Sequence, residues 1–246
     1  MTTIPEPVPQ AQTPVPHFGR LLGVFFNPTV TFEDIGRRPS WLLPLALLVL
    51  VSVGIGIELA QRVNWEQYIG QQMDASPSAA QLSPEQRQQR IEVGAKYARI
   101  SCYIFAPIGM PVTLLFFAAL YLGAFNLLAN ARLSFGQSAG IVAHAMMPSL
   151  VSGILATIVL AVKDPGTIDP QHPLASSLYA FLPEDAPQWL QSLGSSIELF
   201  FLWMLVLISI GFAAANPRKV TLGKAFGIVF GLWGAWVLCK VIWAVL

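Results

Sequence analysis

Charge is what this sequence has least of. Only 11% of its 246 residues are Asp, Glu, Lys or Arg, less than half the roughly 25% of an ordinary soluble domain. Hydrophobic residues make up 54%, which argues against a water-soluble fold. A formal net charge of +1 with no basic block excludes the electrostatic footprint of a nucleic-acid binder. Cys102 and Cys239 are the only cysteines, too few and too far apart for a CxxC pair or a disulfide framework. His17, His144 and His172 are scattered without metal-ligand spacing, and Met146-Met147 has no thiolate neighbour. No phosphate-binding glycine loop is present. Neither a metal nor a cofactor is expected. The opening MTTIPEPVPQAQTPVPHFGR holds five prolines and no apolar core. It is no cleavable signal peptide, and residues 1–24 read as a disordered, proline-rich tail.

What is abundant is long apolar runs. Crossing ~30 Å of hydrocarbon takes about 20 apolar residues in a helix. Five stretches qualify: 41–60, 102–126, 138–162, 197–215 and 223–245. Only helices and closed barrels cross lipid, and runs this continuous are helices. The expected fold is an all-α, five-helix transmembrane bundle over residues 25–246. The links NARLSFG and NPRKVT make spans two and three, and spans four and five, antiparallel neighbours. Of the 14 cations, seven fall on each side. Arg20, Arg37, Arg38, Arg132, Arg218, Lys219 and Lys224 lie in tails or short loops on the N-terminal side, where the positive-inside rule acts most strongly. Arg87, Arg90 and Lys96, on the other side, sit in a longer loop among acids. The N-terminus is therefore expected in the cytoplasm and the C-terminus outside, in a bacterial inner membrane.

Before the first span stands FFNPTVTFEDIGRRPSWLLP, Phe25 to Pro44. Asn27 or Thr31 can cap a short helix, Pro28 suits its first turn, and Arg37 and Arg38 favour its C-terminus. The expectation is an interfacial helix, with Phe25, Phe26, Phe32 and Ile35 in the headgroup boundary and Glu33, Asp34 and the arginines in water. Pro39 breaks it, and Trp41 anchors the first span. In the first external loop, Ser83, Pro84 and Gln86 form a capping-box pattern whose helix continues into span two as one rod. In the second, Asp185 could cap a short surface helix carrying Trp189, Leu190 and Leu193.

The chemistry-bearing candidates are few. GQSAG, Gly136 to Gly140, matches a hydrolase nucleophile elbow, but that turn needs a preceding strand. Ser134 and Gln137 explain the stretch as a capping box instead, and Ser138 is no nucleophile. No enzyme is expected. Glu58, Glu198 and Lys240 are ionisable residues at similar outer depth, costly in lipid. They form either an ion-paired pin or the lining of a polar cavity. Asn126, Asn130 and His144 group toward the opposite side. Cys102 and Cys239 share outer depth, which leaves a disulfide open. Pro107, Pro111 and Pro148 interrupt spans two and three as hinge candidates. Gly223, Gly227, Gly231 and Ala235 form a small-residue stripe on span five, serving internal packing or self-association. A similar stripe runs along span three from Ala145 to Ala161.

Three segments, NPTVTFEDIGRRPSWLLP, LSFGQSAGIVAHAMMPSL and ELFFLWMLVLISIGFAAA with PRK after it, together resemble the Yip (Ypt-interacting protein) domain family, in its bacterial form. The resemblance covers 25–246 and implies a cytoplasmic N-terminus and five helices. It brings no catalytic residues. The Asp-Leu-Tyr-Gly-Pro element of eukaryotic members is missing, so their role with Rab-type GTPases does not carry over. The expected function is a non-enzymatic membrane scaffold or adaptor that organises proteins or shapes the bilayer. Its expected partners are the bilayer and either a membrane protein or a second copy. The alternative is a transporter, channel or lipid-handling protein that uses the intramembrane prolines and charges.

Overall fold

A computed structural model describes residues 16–74, 82–183 and 185–245. The expected tail lies outside the described residues up to residue 15. Among these residues ten α-helices follow in order: α1 (His17–Phe26), α2 (Pro28–Arg37), α3 (Leu42–Arg62), α4 (Trp65–Asp74), α5 (Pro84–Ala129), α6 (Phe135–Ala145), α7 (Met147–Val162), α8 (Gln188–Ser196), α9 (Leu199–Ala215) and α10 (Leu222–Trp243). Among the described residues there is no strand, only an isolated bridge between Ser177 and Glu198. Among the described residues, four segments are long and apolar enough to cross a membrane: α3, α5, α6 with α7, and α10. The fourth expected span is α9, whose 17 residues reach about 26 Å at 1.5 Å per residue, somewhat less than the ~30 Å of hydrocarbon. It is the central helix, with Met204, Leu205, Ile208 and Phe212 buried. Phe212 stacks on Phe125 of α5 at 4.1 Å and 3°.

Both capping boxes form. Ser83 Oγ accepts from the Gln86 amide at 3.2 Å while Gln86 Oε1 accepts from the Ser83 amide at 3.0 Å. Helix α5 then runs 46 residues, about 69 Å, straight through Pro107 and Pro111. Each proline lacks the N–H that would bond the carbonyl four residues back, so Tyr103 and Pro107 lose helical donors. Beside them, Ser52 Oγ of α3 donates to the Ala106 carbonyl at 2.9 Å. The Ser134 box opens α6 in the same way. The third expected span is not one helix. It breaks at Met146, and Pro148 stands in the first turn of α7, where its missing N–H is tolerated.

The α5–α6 turn uses two left-handed residues, Asn130 (φ 48°) and Arg132 (φ 53°). Such a backbone costs a non-glycine residue about 1 kcal/mol or more. Asn126 offsets this by gripping Leu133 from both sides, accepting from its amide at 2.8 Å and donating to its carbonyl at 3.0 Å. Asn216, after α9, donates to Ala131 O at 2.7 Å, tying the two short turns of this end together. Glycine permits close approaches, at Gly56 and Gly211 among others. A Cβ on Gly56 would lie 2.8 Å from the Cys102 carbonyl and 2.6 Å from the Ala106 Cβ, so α3 and α5 meet backbone to side chain. One on Gly211 would lie 2.5 Å from Ile141 and 3.1 Å from Phe32, which fixes α9 against α6 and α2.

Two expectations about the N-terminal region change. Residues 17–24, read as tail, belong to α1, with Arg20, Leu21 and Val24 buried. Helix α2 is present where expected, but it packs into the bundle: Phe32 and Ile35 are fully buried. Asn27 occupies its N-cap position without a side-chain cap bond. The free apolar stripe is on α1 instead. Phe18, Leu22 and Phe26, one turn apart, are all exposed, Phe26 to 85%. Apolar periodicity identifies a helix with one greasy face but does not say whether lipid or protein covers it.

Candidate functional site

At the end of the bundle that holds α1 and α2, one cation organises the chain. Arg20 is 3% exposed. Its Nε donates to Asp34 Oδ2 at 2.8 Å and its Nη2 pairs with the same oxygen at 2.7 Å. Nη1 donates to the Arg38 carbonyl at 3.0 Å and to Ser40 Oγ at 2.6 Å. One planar fork thus joins α1, α2 and the entry to α3, a task for which its fixed donor geometry suits it. Gln137 Nε2 adds a bond to Gly36 O at 2.8 Å. The sequence marked Arg20 only as one of the N-terminal-side cations and gave no sign of its burial, because its partners lie 14 to 20 residues away.

At the opposite end, the three expected charges do not pair with one another, and two of them have local partners of their own. Glu198 caps α9, accepting from the Phe200 amide at 3.1 Å and the Phe201 amide at 2.6 Å. Lys240 donates to Ser195 Oγ at 2.8 Å and to Ser196 Oγ at 3.3 Å, at the C-terminus of α8. Glu58 Oε2 is buried without a hydrogen-bond partner. Asp185 precedes α8 but does not cap it; Pro187 occupies that position. Arg62 instead closes α7, donating to Ala161 O at 2.5 Å and to Lys163 O at 3.1 Å.

Between the ends, a cavity of about 310 Å³ lies beside the Pro107–Pro111 turn and the α6–α7 break, lined by Ser52, Gly109, Thr113, Met146 and Ser149 among others. Its three hydroxyls can bind water or a small polar group. It has no ionisable lining and therefore no acid or base with which to run a reaction. The remaining candidates are accounted for locally. Ser138 is buried and donates to Ala118 O at 2.6 Å. His144 contacts Gly140 O at 2.9 Å, while Asn126 and Asn130 serve the turn described above. Both cysteines are free. Among the described residues no three His, Cys, Asp or Glu side chains converge as a metal site.

Two surfaces stand out. On α10, a Cβ added to Gly223, Gly227 or Gly231 would meet nothing within 4 Å, and Ala235 is exposed. The small-residue stripe faces outward, so internal packing, one of its two sequence readings, does not apply to it. The other surface is the hairpin of α4 and the first third of α5. Asp74 pairs with Arg87, Ile69 packs on Gly94, and Trp65 donates to Leu59 O at 3.2 Å. The hairpin leaves Val93, Tyr97 and Ile100 exposed along one face of α5. Beside it, Tyr68, Asp169, His172 and Tyr179 line a polar cleft, where burial first, and then the Asp169 carboxylate, raise the Tyr68 hydroxyl above its ordinary pKa.

A family model described as the Yip1 domain matches residues 22–244. No curated protein and no solved structure matches the chain.

Proposed function

We propose that this chain, which belongs to the Yip1 domain family, acts as a non-enzymatic scaffold that holds a partner protein against its outer hairpin. Its multi-pass membrane character follows from the family and the four apolar spans. The observation that carries the scaffold is the length of α5. Some 20 of its 46 residues suffice for the bilayer. The segment that carries Glu85, Arg87, Arg90, Glu92, Lys96 and Arg99 is too charged for lipid. That segment stands out as a rigid post, yet it keeps an apolar stripe at Val93, Tyr97 and Ile100 exposed, as a docking helix does. In this reading the α1–α2 end is cytoplasmic and the post lies outside, which the short-loop cations support through the positive-inside rule. A fifth crossing by α9 is part of this reading, because it keeps α8 and the far end of α10 on the same side as the post.

A photo-crosslinking residue at Tyr97, activated in native membranes, should give one discrete protein adduct. The same residue at Leu50, which is 69% exposed on the apolar helix α3, should give none. Lipid adducts alone at both positions would overturn the scaffold. The transport alternative has the hydroxyl-lined cavity as its room, but no charge lines it.

A second copy is the partner suggested by α10. Its outward glycines let a like helix approach closely, the contact that drives association where lipid and side chains are equally apolar. Gly227→Leu should weaken self-association roughly tenfold or more, as loss of a ~1.4 kcal/mol contact would, and Gly227→Ala should keep most of it. Energy transfer between labelled copies in vesicles, measured against lipid dilution, reads this directly. An unchanged dilution curve for Gly227→Leu would remove self-association from the proposal.

A further inference from the structure

A second crevice, of about 340 Å³, opens between α5, α9 and α10. Its walls include Phe117, Leu120, Phe201, Leu205, Trp233 and Trp236, so no charged side chain enters it. Trp233, Trp236 and Lys240 follow at steps of three and four residues and therefore share one face of α10. Lys240 stands one turn beyond Trp236, at the outer end of that face. Its ammonium is held at Ser195 and Ser196 by two hydrogen bonds, which leaves one of its three N–H donors unused. Among the described residues it has no carboxylate partner, and the Glu198 carboxylate is turned to the α9 amides. The two serine hydroxyls donate back to Ser192 O at 3.1 and 2.7 Å. The ammonium is thus positioned, and its charge is not neutralised.

From this geometry we infer that the crevice binds one anionic phospholipid of the outer leaflet. An acyl chain lies between the aromatic walls, and the phosphate sits at Lys240. The bilayer is the solvent of this crevice, so an acyl chain is the occupant at hand, and it matches an all-apolar lining. The unpaired ammonium selects among headgroups, because a positioned cation with a free donor favours an anionic oxygen over a zwitterionic surface. This site is separate from the hairpin, and its assignment to the outer leaflet rests on the orientation of the proposed function.

The test is native mass spectrometry of the full chain, released from detergent and titrated with phosphatidylglycerol or phosphatidylcholine. One phosphatidylglycerol should bind with at least about tenfold preference, the scale of one charge-assisted hydrogen bond. Lys240→Met should reduce that preference to under about twofold, and Lys240→Arg should retain it. Leu120→Trp fills the crevice from its half-open side and should weaken both lipids while Lys240 stays in place. It keeps the test decisive should Lys240→Met fail to fold. The inference is overturned if the native chain shows no headgroup preference, if Lys240→Met retains it, or if Leu120→Trp binds both lipids as before. Displacement of the lipid by soluble glycerol phosphate would likewise overturn it, since the site would then read the anion and not the chain.

Discussion

Replacing Arg20 with methionine should cost roughly 3–5 kcal/mol, the penalty of stranding one partner of a buried ion pair. In a chain of this size that corresponds to a fall in melting temperature on the order of 10 °C. The loss has two parts. Asp34 loses its partner with little water to replace it, and the carbonyl of Arg38 and the hydroxyl of Ser40 lose their donor. Arg20→Lys should recover only a fraction, because a single ammonium cannot reach Asp34, Arg38 and Ser40 with the geometry of the guanidinium. The double variant Arg20→Met with Asp34→Leu should be far less damaged than Arg20→Met alone, since removing both charges removes the stranded one. Thermal melting of the detergent-solubilised protein, with limited proteolysis of α1 and α2, measures all three. A change below about 0.5 kcal/mol for Arg20→Met would place it in the class of an inconsequential surface pair.

Gly56→Ala should be nearly as harmful for a different reason. A methyl group at Gly56 has nowhere to go, since the carbonyl of Cys102 and the Cβ of Ala106 already occupy its position. Helices α3 and α5 must separate, and overpacking of this kind costs about 1–3 kcal/mol. The Ser52–Ala106 bond one turn away should break with it. Gly54 supplies the control, because a Cβ there meets nothing within 4 Å. Gly54→Ala should be neutral or slightly stabilising through helix propensity. Equal melting temperatures for the two variants would show that α3 and α5 do not meet as described.

The contrast between these sites shows which parts of the molecule were legible in its sequence. The capping boxes at Ser83 and Ser134 were, because all their groups lie within four residues. Four of the five apolar spans were, because length and continuity are one-dimensional properties. Arg20 was not, since its value depends on Asp34 and Ser40 folding back over it. Helix α1 was missed because its ten residues adjoin a proline-rich tail and share its reading. Helix α2 was found but placed in the wrong surroundings, because amphipathicity names a face and not what covers it. The α10 glycines were recognised as a packing stripe, and only the fold shows that they point away from the bundle. Glu58, Glu198 and Lys240 were grouped by depth along the membrane normal. Depth leaves position around the bundle undetermined, so Glu198 turned out to be a cap and Lys240 to bind serines.

The unbroken run of α5 has a mechanical consequence. With no loop between its N-terminal tip and its C-terminal end, the helix is a lever, and a load on the tip reaches the core without slack. Stiffness along it is uneven. Two successive turns lack a backbone bond, at Pro107 and Pro111, so flexure concentrates there and makes that point the fulcrum. The Ser52 hydroxyl bridges to Ala106 at the fulcrum, and Gly109 and Met110 beside it line the hydroxyl-bearing cavity. A partner pulling on Tyr97 would therefore do its work some 15 Å or more away, at 1.5 Å per residue, by changing the width of a chamber it never touches.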